Sequence, residues 1–183
     1  MTYYGASELA RSFRTVRKNT LVIAEEILEE HYGFRPTPES RSVAEILAHI
    51  VVAARGSYQS HAARKITTFI GIDLPTLIRE RLEEEKQRST ASKAQLLEEL
   101  RTNGENWGAF LDTVPEEELA VIIPFPEPAV PPAKSRFELL LSVKEHEMHH
   151  RAQLMVFQRL LGLVPHLTRN RQALMGPPPS RTH

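Results

Sequence analysis

SRFELLLSVKEHEMHHRAQLMVFQRLL, residues 135–161, decides how the chain is read. The spacing predicts one long helix, with Ser135 as N-cap and Gly162 as the C-terminal cap just beyond it. Its core stripe, stepped by four and three, reads Leu139, Val143, His146, His150, Gln153, Phe157 and Leu160. Two histidines thus stand where the pattern predicts leucine. Being four apart, they lie one above the other on one face, and neutral imidazoles so placed can hold one ion together. His149, three from His146, could also chelate, but His150 continues the stripe whereas His149 drifts toward a flank. The letters HEMHH also fit the metalloprotease pattern His-Glu-x-x-His. That reading lacks any further His or Glu downstream on a helix and any strand-bearing half before it.

Working outward, a third ligand must come from a facing helix. SVAEILAHI, residues 42–50, opens with a capping box formed by Ser42 and Glu45 and continues into the stripe Val43, Ile46, Leu47, Ile50, Val51 and Ala54. His49 sits at the edge of that stripe and is the candidate. His31, His61 and His166 fall at segment ends or in expected loops, and His183 in the tail. His61 shares a helix with a core stripe only if this second helix runs through Gly56.

Two more segments carry helical periodicity: Leu9, Phe13, Val16, Ile23 and Ile27, with Ser7 as N-cap, and Leu96, Leu100, Trp107, Phe110 and Val114, stopping near Pro115. Between them LPTLIRERLEEEKQR, residues 74–88, is acidic with few apolar anchors, an accessory helix or an exposed lead into the next segment. Pro124, Pro126, Pro128, Pro131 and Pro132 crowd a loop in which neither helix nor paired strand can continue. Four long amphipathic helices bury their stripes best against one another, so the expected fold is all-α: a four-helix bundle spanning residues 1–165, with long crossover connections after the second and third helices. Residues 166–183, ending GPPPSRTH, read as a mobile tail whose first half can still pack on the bundle.

With 23 basic and 23 acidic side chains the chain has no net positive field, which removes the main electrostatic motive for a nucleic-acid partner. The basic run Arg11–Lys18 is interleaved with apolar positions and reads as a solvated face. There is no cysteine, which excludes disulfides, zinc–thiolate sites and a cysteine nucleophile; thiol chemistry would need a thiol brought in from outside. No secretory pattern opens the sequence, and no window approaches the roughly 18 uninterrupted apolar residues of a membrane span. A cytoplasmic protein without a membrane partner is expected.

SVAEILAHI, EHEMHHRAQL (145–154) and LGLVP (161–165) together resemble the DinB-like superfamily, over roughly Ser7 to Pro165. Its members, including bacillithiol- and mycothiol-dependent transferases, are four-helix bundles with a three-histidine metal site. Carried over by position, the metal histidines fall on His49, His146 and His150. Ala152 replaces a glycine common in the family. Ala53 stands where an acidic or polar residue is frequent, which leaves no proton carrier there.

The resemblance implies a divalent ion (zinc, nickel, iron or manganese), a small-molecule substrate, a low-molecular-weight thiol as possible co-substrate, and a homodimer. Glu45, Glu147 and Arg151 are the candidate catalytic residues. Either glutamate could orient a ligand or move a proton, or be a solvated surface residue; Arg151 could meet an anionic substrate or a neighbouring carboxylate. The function expected is a metal-dependent hydrolase or thiol S-transferase. The alternative is a non-catalytic, stress-related helical protein with a structural or vestigial histidine cluster. DNA binding, suggested only by the family's name, is disfavoured by the charge balance.

Overall fold

Ser42 and Glu45 show how the helices are delimited. The Ser42 hydroxyl accepts the Glu45 N–H at 3.2 Å and the Glu45 carboxylate accepts the Ser42 N–H at 2.7 Å, so the first turn has no idle donors there. Reciprocal boxes of the same kind start two further helices, Ser92 with Gln95 and Ser135 with Glu138. The computed structural model describes residues 4–176. They form α1 (Ala6–Glu26), α2 (Val43–Tyr58), α3 (Leu74–Arg88), α4 (Lys93–Asp112), α5 (Glu116–Leu119), the ribbon β1 (Ile122–Pro124) and β2 (Ala133–Ser135), α6 (Arg136–Leu160) and α7 (His166–Met175). No helix among the described residues is long and apolar enough to cross a membrane.

The bundle consists of α1, α2, α4 and α6. Helices α1 and α2 each pack on both α4 and α6, so α1 faces α2, and α4 faces α6, across the diagonals. Contacts fix the directions. Arg14 meets Asp112 while Arg101 meets Glu25, which makes α1 and α4 antiparallel. Arg17 meets Glu147 while Gln158 meets Glu26, which makes α1 and α6 parallel. The crossovers therefore follow α1 and α4, each spanning a diagonal. The long segment after the second helix instead joins neighbours. It contains α3, which lies along α2.

The core falls into two apolar clusters. One gathers Ile23, Ile27, Ile46, Leu47, Ile50, Leu96, Leu100, Leu154 and Phe157; the other gathers Leu9, Phe13, Ala54, Trp107, Leu111, Leu140 and Val143. A polar layer separates them. Arg17, 4% exposed, donates from Nε at 2.9 and 3.1 Å and from Nη2 at 2.8 Å to the carboxylate of Glu147, 1% exposed. It also donates to the carbonyl of Leu100. Gly104 of α4 makes room for this: a Cβ there would lie 2.8 Å from Arg17 Cγ.

This layer corrects two expectations. The basic run Arg11–Lys18 is not wholly a solvated face, since Arg17 points into the bundle. The buried path of α6 runs Arg136, Leu140, Val143, Glu147, His150, Leu154 and Phe157, so Leu160 is 59% exposed and His146 stands beside the seam. A glutamate enters the core only because a guanidinium on another helix meets it, and periodicity of one segment carries no trace of that partner.

Elsewhere, α1 is capped at Gly5 rather than Ser7. The Glu8 carboxylate accepts the Gly5 N–H at 3.1 Å and Glu116 accepts that of Ala6 at 3.0 Å. The proline-rich loop is bracketed by strands that run into its prolines, against the expectation that pairing could not continue there: Ile123 pairs with Lys134, Pro124 with Ala133, and the Phe125 N–H still reaches the Pro132 carbonyl at 2.8 Å. Gly162, at φ +80, lets α6 end in a left-handed turn in which the Leu163 N–H reaches the Gln158 carbonyl at 2.8 Å. Beyond it α7 opens the expected tail and packs through its first turn, with His166 buried and bonded to Asn19 at 3.1 Å, while Leu174 and Met175 are exposed. The rest of that tail, with His183, lies outside the described residues.

Candidate metal centre

His49 is carried by α2, and His146 and His150 by α6, at the level of the polar layer. Their Nε2 atoms converge. His146 Nε2 lies 2.9 Å from His49 Nε2 and 3.2 Å from His150 Nε2, and one donor atom from each ring falls within 4.8 Å of the others. Ligand bonds of about 2.0–2.1 Å in tetrahedral geometry put neighbouring nitrogens about 3.3–3.4 Å apart, so a small outward shift seats an ion.

The outer nitrogens explain why the lone pairs point inward. His49 Nδ1 is 2.8 Å from Glu85 Oε1, and a carboxylate only accepts, so the proton is on Nδ1 and Nε2 is bare. His150 Nδ1 is 2.8 Å from Gln153 Oε1, which places its proton in the same way. His146 can donate its Nε2 proton to only one of two facing lone pairs. A proton alone therefore leaves the cluster under-satisfied, and a cation does not.

Electrostatics keep the rings neutral. Burial, then the Arg41 charge and His150, lowers the His49 pKa to about 4; burial and the neighbouring imidazoles lower that of His146 to about 4 as well. His150 is lowered chiefly by burial, and Glu85 is raised chiefly by burial. Because a depressed imidazole pKa delays protonation, ion release on acidification is expected nearer pH 4–5 than the usual imidazole value near 6.5. Metal content after dialysis across that range checks the shift.

The structure distributes the other candidates elsewhere. Glu45, one turn before His49, is held by the Ser42 cap and by Arg35 at 2.6 Å. Glu147 is locked on Arg17. Arg151 is half-buried, its Nε without a hydrogen bond among the described residues. None of these three hydrogen-bonds to the imidazoles among the described residues. His149 is exposed, off the cluster, with its Nε2 3.4 Å from Gln153 Nε2.

Glu85 is the residue the sequence reading missed. It comes from the acidic stretch 74–88, which is helix α3, capped by Asp73 with Pro75 in its first turn. Its inward positions Leu74, Leu77, Arg81, Glu84, Glu85 and Arg88 keep helical spacing, but the last four are charged and faced with charge. Glu84 pairs with Arg55 and Arg88, and Arg88 with Glu99. The signal was a helical stripe written in charged letters. Glu85→Gln, which trades the carboxylate for an amide, is expected to weaken divalent-ion binding by about 10–100-fold, measured by competition with a chromogenic chelator.

Several solved structures share this architecture. YfiT of Bacillus subtilis, described as a probable metal-dependent hydrolase with an unusual four-helix bundle topology, superposes with a TM-score of 0.68 at 15% identity, covering 89% of this chain and 91% of that one. A Streptococcus pneumoniae protein matches at 0.67 and 17% identity over 87% and 93%. The DinB-like protein YjoA of Bacillus subtilis matches at 0.57 and 24% identity over 85% and 92%. At these identities they speak for the fold alone. No curated protein gives a significant match. The DinB superfamily model matches residues 12–154, which include all three histidines and most of the bundle. The chain belongs to the DinB superfamily.

Proposed function

We propose that this protein is a metal-dependent enzyme acting on small molecules, as a hydrolase or as a thiol S-transferase. The observation that carries this is the convergence of three Nε2 atoms, two of which, on His49 and His150, have their lone pairs turned inward by Glu85 and Gln153. A divalent ion with three neutral ligands keeps its full charge, and such an ion can bring the pKa of a bound water to near neutrality or hold an external thiol as its thiolate. His49, His146 and His150 would hold it. Glu85 holds the proton of His49 Nδ1 and fixes that ring. Arg41, 3.5 Å from Glu85, favours the ionised form of the carboxylate that holds His49. The thiol comes from outside, since the chain has no cysteine.

The test compares metal-loaded and chelator-stripped protein on p-nitrophenyl esters, and on 1-chloro-2,4-dinitrobenzene with and without a low-molecular-weight thiol. Turnover that needs metal, and disappears in His49→Ala without loss of helicity, is the expected result; thiol dependence selects the transferase. Turnover indifferent to the metal, or none with either class while the variant merely melts at a lower temperature, would favour a structural cluster instead.

A further inference from the structure

Three turns beyond His49, the α-helix α2 gives way to a π turn, Gln59–Ala63. Such turns place one residue off the regular ladder, often where a side chain must be aimed. This turn carries His61, 5% exposed. The following chain reaches Lys65, whose φ of +48 is the left-handed region that a lysine adopts only when its surroundings impose it. Next to this bend is a cavity of about 570 Å³, lined by His61, Lys65, Thr67, Phe110, Glu118 and Arg136 among others. It shares no residue with the histidine cluster. At a rise of about 1.5 Å per residue, His61 stands about 18 Å along the helix from His49.

The polar groups here are incompletely used. Among the described residues His61 Nδ1 is buried with no hydrogen-bond partner, and none takes up its Nε2. A bare buried acceptor costs less than a bare buried N–H, so the proton belongs on Nε2, which makes that nitrogen a donor on the cavity side. Arg136, 5% exposed, donates from Nη2 to the Ile66 carbonyl at 3.3 Å. Its buried Nε lies 3.2 Å from Glu118 Oε2 at an angle that makes no hydrogen bond. Glu118 itself is 48% exposed and free to turn outward. Two cations against one carboxylate leave the lining positive, and the first turn of α6, which begins at Arg136, adds its dipole. Phe110 supplies an apolar wall.

We propose that this cavity is a second binding site, for a small organic anion: a phosphate or carboxylate head facing Arg136, Lys65 and His61, with an apolar body against Phe110. The site is independent of the metal reading and is tested without metal. Phenyl phosphate, benzoate and inorganic phosphate are titrated calorimetrically into the full chain in chelator. Lys65→Gly removes the cation while relaxing its left-handed backbone, so the fold is retained; His61→Leu removes the donor.

Saturable binding of phenyl phosphate or benzoate, tighter than inorganic phosphate, weakened at least about tenfold in Lys65→Gly and unchanged in His146→Ala, is the expected result. Which of the two aromatic anions binds tighter identifies the head. No saturation by any of the three, or binding as tight as wild type in both Lys65→Gly and His61→Leu, would overturn it. Loss in His146→Ala instead would move the anion to the metal centre and overturn it as well.

Discussion

Replacing His146 with alanine is expected to weaken divalent-ion binding by at least about 100-fold while leaving the bundle folded. His146 is the central member of the cluster, since its Nε2 is the atom close to both others. Three-ligand binding worth about 10 kcal/mol loses about a third when one ligand goes, and about 3 kcal/mol is roughly a hundredfold in affinity. The fold survives because His146 is beside the seam of α6, not in it; Leu140, Val143, Leu154 and Phe157 hold that helix in place. The effect should appear twice. Calorimetry reads the affinity directly. The rise in melting temperature on adding metal, which a ligand at about 100 times its Kd produces by about 2.7 kcal/mol, should vanish. A variant that still gains the full rise would mean that the ion is held elsewhere.

The second large effect concerns stability. Glu147→Ala leaves Arg17 buried with no anion, and breaking a buried pair by one side costs about 3–5 kcal/mol. In a chain of this size that is a fall in melting temperature on the order of 10 °C. The double variant Arg17→Met with Glu147→Leu removes both charges and fills the layer with apolar volume, so it should recover most of the loss. Urea unfolding of the two variants makes the comparison. A loss below about 1 kcal/mol in Glu147→Ala, or a double variant no better than the single one, would contradict the packing described. Metal affinity adds a separate readout: near wild-type binding in the double variant identifies Glu147 as an architectural residue, whereas its collapse would return it to the metal centre.

Much of this was legible along the chain. The capping box at Ser42, the cap at Ser135, the glycine stop at Gly162 and the stripes of α1, α2 and α4 are local signals, set by neighbours three and four residues away, and they are readable as such. So was the preference for His150 over His149, because the true seam of α6 and the predicted stripe share every seventh position: Val143, His150 and Phe157. They part at the intermediate places. The apolar pattern chose His146 and Gln153, and the structure buries Glu147 and Leu154. The error was one of partnership. A charged residue is read as outward facing unless its counter-ion is known, and Arg17 is 130 residues away. Glu85 was hidden for the same reason. The topology was the other gap: which connections cross the diagonals depends on how α1 and α4 face each other, and no local spacing encodes that.

In the proposed function one ion is shared by one nitrogen from α2 and two from α6. Protein purified without a histidine tag, loaded with metal and crystallised, can be measured at the absorption edges of zinc, nickel, iron and manganese. A single anomalous peak about 2.0–2.1 Å from Nε2 of His49, His146 and His150, with Glu85 still on His49 Nδ1, is the expected result. A map with no peak at that point, or an ion on His149 or a carboxylate with His49 turned away, would contradict it.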